Sequence, residues 1–415
     1  MRVSPAWLRA VGLAVIGFVT IACTTNAAVG NTPPSRQPHQ SHQSHQSAGP
    51  SGSGPAAGGA GPGSGAPAGT AEAAQVASLS TRQLAGQRVV FSYAGLTPPA
   101  SLLWLIGHGE AAGVIFFASN ISGRAQIAGV IAKLEAADAA PTNPVRSPLL
   151  LMTDQEGGLV RRLPGPPELS ERQIGESAQP AAAAAAAGAA AAASLRGVGM
   201  NVNLAPVLDV YRAAGDFDDQ FQRSYSMSPA KVSALGADFI RAQQQGGVAA
   251  AAKHFPGLGA ATRTEDTDHG PVTLQVPAAS LRGIDELPYR AAIAARVKLI
   301  MVSWAVYPGL SGNRPAGLSG SIVQGELRNR LGFTGVTVTD ALEAGALKAY
   351  GSIQHRAVLA AQAGMDLLLC SGQTGGEGAA CVAGLQNGYN DGALGKAAFK
   401  IADTRVLSLR AGLPR

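Results

Sequence analysis

Eight short apolar runs recur along the chain, with enough residues between most of them to hold a helix. They span 88–93 (RVVFSY), 113–117 (GVIFF), 148–154 (PLLLMTD), 201–207 (NVNLAPV), 247–254 (GVAAAAKH), 298–304 (KLIMVSW), 335–340 (GVTVTD) and 365–370 (MDLLLC). Each is apolar throughout instead of alternating, the pattern of parallel strands buried on both faces. Helix-length segments lie between them, for example at 125–137, 227–245, 278–295 and 353–363. Strand and helix alternating in this way specify an α/β fold, a (β/α)8 TIM-type barrel, and such barrels run to this length as one domain.

The stretch 180–196 is almost entirely alanine. Alanine is the strongest helix former and Pro180 suits a first helical turn, so the segment reads as a close-packing outer helix.

The amino terminus has a different character. Arg2 and Arg9 form a positive stretch ahead of an apolar run, 10–22, too short to cross a bilayer, which is the pattern of an export signal. Cys23 follows Thr20, Ile21 and Ala22 in a lipobox-like arrangement, so it is expected to carry a lipid anchor; a plain secretory signal is the alternative. Residues 24–75 are rich in Pro, Gly, Ser, Ala and Gln and include HQSHQSHQS. Such a composition cannot bury a core and reads as a disordered linker, with His39, His42 and His45 solvated. The expected organisation is therefore 1–23 signal, 24–75 linker and 76–415 barrel.

The formal net charge is +6, with Lys and Arg scattered and no basic cluster interleaved with aromatics. That argues against nucleic acid and fits attraction to an anionic cell envelope. Membrane contact is expected only through Cys23. In an oxidising compartment Cys370 and Cys381, separated by a Gly-rich stretch, are expected to form a disulfide. No metal or organic cofactor is expected.

Active sites of such barrels gather at the carboxyl ends of the strands. Here those ends are polar: Asp154 and Glu156 after the third run, Asn203 in the fourth, Lys253 and His254 in the fifth, Asp340 in the seventh. Carboxylates and a Lys/His pair meeting on one rim suit a sugar-binding pocket. After His254 the chain breaks at Pro256, Gly257 and Gly259, then carries Arg263, Glu265, Asp266, Asp268 and His269 on a loop free to move. Glycoside hydrolysis usually needs one group facing the anomeric carbon and one protonating the leaving oxygen. Asp340 is the candidate for the first, with a helix N-cap for the following ALEAGAL as the alternative. Glu343 is expected in the first turn of that helix.

KHFPGLG with its Asp/His loop, NLAPVLDV, the Arg223-Ser224-Tyr225 triplet and VTVTDALEAGAL together resemble glycoside hydrolase family 3, specifically its single-domain β-N-acetylhexosaminidases. The resemblance spans about 79–413 and implies a barrel without the second sandwich domain of larger members. It makes Asp340 the nucleophile. The family's proton donor is a loop histidine in Asp-x-His, a residue whose pKa lies near neutrality. This chain has Asp266-Thr267-Asp268-His269 instead. Either the loop slides so that His269 pairs with Asp266, or Asp268 takes the family Asp position and His269 points elsewhere.

TDQEGGLVRRL is similar to the family's D-x-E-G-G-R-V-x-R segment, which makes Asp154 and Arg162 sugar-binding residues; a structural ion pair is the alternative. Leu159 stands where that pattern has Arg, and Leu258 where KHFPGHG has His. Arg223, Lys253 and His254 match further sugar contacts. The implied activity is that of a retaining exo-β-N-acetylglucosaminidase on cell-wall-derived or related glycans, as in peptidoglycan turnover, with His269, helped by Asp266 or Asp268, as acid then base and with phosphate in place of water as a variant. The rival is a non-catalytic glycan-binding envelope lipoprotein that keeps the barrel.

Overall fold

The computed structural model describes residues 70–374 and 376–414. The export signal, Cys23 and the linker histidines lie outside the described residues. A helix, Thr70–Ser78, begins inside the stretch expected to be linker; it is alanine-rich, buries Val76, and its Gln75 Nε2 donates to Pro144 O at 3.2 Å.

Eight parallel strands close into a barrel in chain order: β1 Val89–Phe91, β2 Gly113–Ile115, β3 Leu150–Thr153, β4 Val202–Asn203, β5 Ala249–Phe255, β6 Leu299–Val302, β7 Val336–Ala341 and β8 Leu367–Leu369. All eight coincide with the apolar runs, β5 and β7 reaching one residue past them. β4 is shorter than its run because Pro206 has no N–H to give the ladder; pairing resumes in a single bridge between Val207 and Lys253.

Side chains in a strand point alternately to its two faces. Inward positions such as Ile115, Met152, Ala251, Met301, Val338 and Leu367 fill the lumen in one apolar cluster. Outward positions such as Val114, Leu151, Ala252, Ile300 and Leu368 join a second cluster beneath the helices. Both faces are dry, as uniformly apolar runs require.

The alanine segment forms the helix Pro180–Arg196 and packs on the helix Pro229–Gln245. Gly188 sets how near they come: a Cβ there would meet Phe239 O at 2.3 Å. The helices expected at 125–137 and 353–363 are present as Arg124–Asp138 and Ile353–Ala363. The segment 278–295 is broken instead into Ala278–Ser280, a wide π turn Leu281–Asp285 and a helix Leu287–Ala294. Pro288 cannot donate in the α ladder, and Glu286 N reaches back to Leu281 O. Cys370 and Cys381 are bonded, as expected, tying the end of β8 to the helix Glu377–Asn390. No helix among the described residues is long and apolar enough to cross a membrane.

Candidate active site

The same alternation that fills the lumen carries polar side chains into its mouth. In β7, Val336 and Val338 point inward, so Asp340 does too. In β3, Leu150 and Met152 point inward, and Asp154 continues that face. Asp154 and Asp340 therefore line one cavity of about 670 Å³ at the carboxyl end of the barrel. Lys253 follows Ala249 and Ala251. A register shift between Ala252 and Phe255 interrupts the alternation, and His254 lines the same cavity.

The floor on the β3–β5 side is an ionic network. Lys253 Nζ lies 2.6 Å from Asp154 Oδ1 and 2.8 Å from Glu156 Oε1. Arg223 grips Glu156 through two donors, Nε to Oε2 at 2.9 Å and Nη2 to Oε1 at 2.8 Å, and its Nη1 lies 3.6 Å from Asp218. Burial would favour a protonated Glu156, but the Arg223 and Lys253 charges outweigh it and hold the carboxyl well below the usual range. Burial likewise opposes the charge on Lys253, and Asp154 and Glu156 more than restore it. Arg162 Nε is 3.9 Å from Asp154 Oδ2, on the outer edge of this network. Such fixed charges direct hydrogen bonds at substrate hydroxyls.

His254 Nδ1 sits 2.7 Å from Asp209 Oδ2. Burial, then the Arg223 charge, push the imidazole down to about 4, so it is neutral near pH 7. The Leu258 and His254 backbone N–H groups also donate to Asp209. With Nδ1–H directed to that carboxylate, Nε2 is left as an acceptor. Asp209, Asp218 and His254 each bring one ligating atom within 4.8 Å of the others, but the hydrogen bonds just described occupy Asp209.

Asp340 is half-buried, and its Oδ1 accepts from Ala341 N at 2.8 Å. It caps no helix, because β7 runs on to Ala341 and a turn follows. Loss of hydration, and then the nearby Asp268, raise its pKa. Asp268 lines the cavity at its rim, where loss of hydration followed by Asp266 and Glu343 raises its pKa in turn.

His269 does not line the cavity. Its side chain is 86% exposed, and Nδ1 meets Asp266 Oδ2 at 2.8 Å. The reason is local: Asp266 Oδ1 accepts from Asp268 N at 2.8 Å, closing a turn that sends the adjacent Asp268 and His269 in different directions. His269 thus pairs with Asp266, as in the first arrangement the sequence left open, but the ring stands outside the cavity while Asp268 lines it, as in the second. The loop is docked on the segment after β7, where Gly345 N donates to Asp268 O at 2.8 Å and Ala346 N to Thr267 O at 3.0 Å.

Glu343 also departs from expectation. It lies in the turn after β7, not in a helix, lines the cavity, and accepts from Ser371 Oγ at 2.8 Å. Leu258 is buried in the cavity wall. Asn203 points out of the barrel and joins Gln155 to Gln243. Asp209 and Asp218 went unassigned in the sequence, and Glu156 was placed at the rim without a role of its own. Glu156 has a signal, since it shares the inward parity of Asp154. A separate cavity of about 440 Å³ near the start of β8 holds Asp366, matched to Arg328 and Arg405.

The description "Glycosyl hydrolase family 3 N terminal domain" matches residues 85–409. An "Uncharacterized secreted glycosyl hydrolase" of Arthroderma benhamiae is 44% identical over 343 residues, 83% of this chain and 97% of that protein. A "Beta-hexosaminidase" of Stenotrophomonas maltophilia is 32% identical over 64% of this chain and 77% of its own length. Among solved structures, a β-N-acetylhexosaminidase from Beutenbergia cavernae superposes with TM-score 0.72 at 32% identity, covering 80% of this chain and 99% of that one. A family 3 β-N-acetylglucosaminidase from Paenibacillus gives TM-score 0.74 at 32% identity over 81% of this chain, which spans 63% of that protein. A closed parallel barrel, a carboxylate-lined mouth and this set of relatives converge: the chain is a glycoside hydrolase and belongs to glycosyl hydrolase family 3.

Proposed function

We propose that the protein is an exported, retaining exo-β-N-acetylglucosaminidase acting on cell-wall-derived or related glycans. The observation that carries this reading is the placing of Asp340 and Asp268 in one cavity above the Lys253–Asp154–Glu156–Arg223 network. The names of the hexosaminidase and glucosaminidase relatives support the sugar, and the secreted relative supports export.

The terminal N-acetylglucosamine sits on the network, its hydroxyls taken by Asp154, Arg162, Arg223, Lys253 and His254 Nε2. An Asp340 oxygen attacks the anomeric carbon as the glycosidic C–O bond breaks, and Asp268 gives its proton to the departing oxygen. Water, deprotonated by Asp268, then displaces Asp340 and restores both carboxyl groups. His269 and Asp266 act through the loop, with Asp266 holding the turn that presents Asp268. Cys23 carries the lipid anchor, and mass spectrometry of the mature amino terminus checks it.

Release of nitrophenol from 4-nitrophenyl N-acetyl-β-glucosaminide tests the activity. Wild type is expected to turn over and Asp340→Asn to lose at least about 10³-fold in kcat, the order expected for loss of a group essential in the transition state. Binding of the sugar by wild type without turnover would instead identify a glycan-binding module.

A further inference from the structure

The mouth of the active-site cavity is apolar on one side and acidic elsewhere, which bears on the part of the substrate that leaves. Leu159, at the tip of the hairpin after β3, is 65% exposed, and Phe221, after β4, is 43% exposed; both line this cavity. Phe221 packs edge-to-face on Phe217, ring centroids 5.7 Å apart, and Phe217 N donates to Ala261 O in the loop after β5. Leu258, from that loop, continues the surface inward. The contributing strands are consecutive, so these side chains form one side of the opening.

Six carboxyl groups line the cavity against three cations, Arg162, Arg223 and Lys253. Lys253 is held by Asp154 and Glu156 and Arg223 by Glu156, while Arg162 lies 3.9 Å from Asp154 with no hydrogen bond from its Nε. In the reading above the glycone hydroxyls take all three, Arg162 included, which leaves none for an anion on the leaving portion.

We infer that the leaving group bound at the mouth is uncharged and presents an apolar face, as a second N-acetylglucosamine or an aryl group does, and that carboxylate-bearing aglycones are disfavoured. This rests on the hydrolase reading above. The glycone takes the buried ions, so the next ring lies toward the exposed Leu159 and Phe221. A pyranose turns C–H groups to such a surface, and packing them there removes exposed leucine and phenylalanine from water. A carboxylate at that place meets like charges and loses hydration without a cation in return.

The test compares kcat/KM for the β-linked N-acetylglucosamine disaccharide with that for the same disaccharide bearing a lactyl ether carboxylate on its second ring. The uncharged substrate is expected to be favoured by about tenfold or more at low ionic strength, with the gap narrowing as salt screens the repulsion. Leu159→Arg is expected to shrink that ratio by about tenfold, the size of one gained charge contact, and Phe221→Ala to raise KM chiefly for the uncharged disaccharide. Equal or preferred cleavage of the carboxylated substrate by wild type, or a ratio unmoved by Leu159→Arg, overturns the inference while leaving the hydrolase intact. Cleavage of neither disaccharide, with none of the nitrophenyl glycoside, overturns the hydrolase reading and this inference with it.

Discussion

Lost hydration and then the Asp268 charge raise the pKa of Asp340, while Asp268 is itself raised by lost hydration and then by Asp266 and Glu343. Activity rises with pH as the first proton leaves and Asp340 becomes the anion that attacks. It falls as the second leaves and Asp268 can no longer donate. Over the acid limb Asp268 is still protonated and uncharged, so Asp268→Asn is expected to leave that limb of kcat/KM near its wild-type position and to abolish the alkaline limb. The same variant should lose ~10²–10⁴-fold in kcat on a disaccharide and less on an activated aryl glycoside, whose leaving group needs little protonation. His269→Ala, on a ring facing solvent, is expected to change kcat by less than about threefold, because the group contributes no proton transfer. Rates across pH for the three proteins decide between Asp268 and His269 as the donor.

The loop after β5 and the turn after β7 work as one element. Gly345 is the contact point: a Cβ there would stand 2.3 Å from the carbonyl carbon and oxygen of His269 and 2.8 Å from Asp268 O. Gly345→Ala is expected to lift the loop and withdraw Asp268, as a positioning defect. The signature is a kcat loss of about tenfold or more on substrates with poor leaving groups, little change on nitrophenyl substrates, and an unaltered KM; equal kcat losses on both kinds of substrate would mark general damage.

This element also shows where sequence reasoning stops. The apolar runs marked the barrel, and their polar carboxyl ends placed Asp154, Lys253 and Asp340 at its mouth, because the extent of an apolar run is a local property. The direction of His269 depends on one hydrogen bond from Asp268 N to Asp266 and on a dock formed 77 residues further on at Gly345. Neither leaves a periodic trace. Asp209 and Asp218 were missed likewise, being defined by the buried His254 and Arg223 that tertiary folding brings to them.

At the scale of the whole molecule, closure of the barrel is what makes distant residues neighbours. The disulfide between Cys370 and Cys381 fixes the last strand to its following helix, next to Ser371, which donates to Glu343 in the cavity wall. Cys381→Ser is expected to cost roughly 2–4 kcal/mol by loosening a short loop, seen as a lower denaturant midpoint, while activity at 25 °C is largely kept. An equal midpoint with and without reductant would show that the bond contributes nothing.

The most direct measurement of the central claim is to locate the sugar on the enzyme during turnover. A slow 5-fluoro N-acetylglucosaminyl fluoride, followed by proteolysis and mass spectrometry, should place one sugar residue on the peptide containing Asp340, with none on Asp340→Asn. Turnover with the sugar on another residue, or with an inverted anomeric product and no adduct, would contradict it.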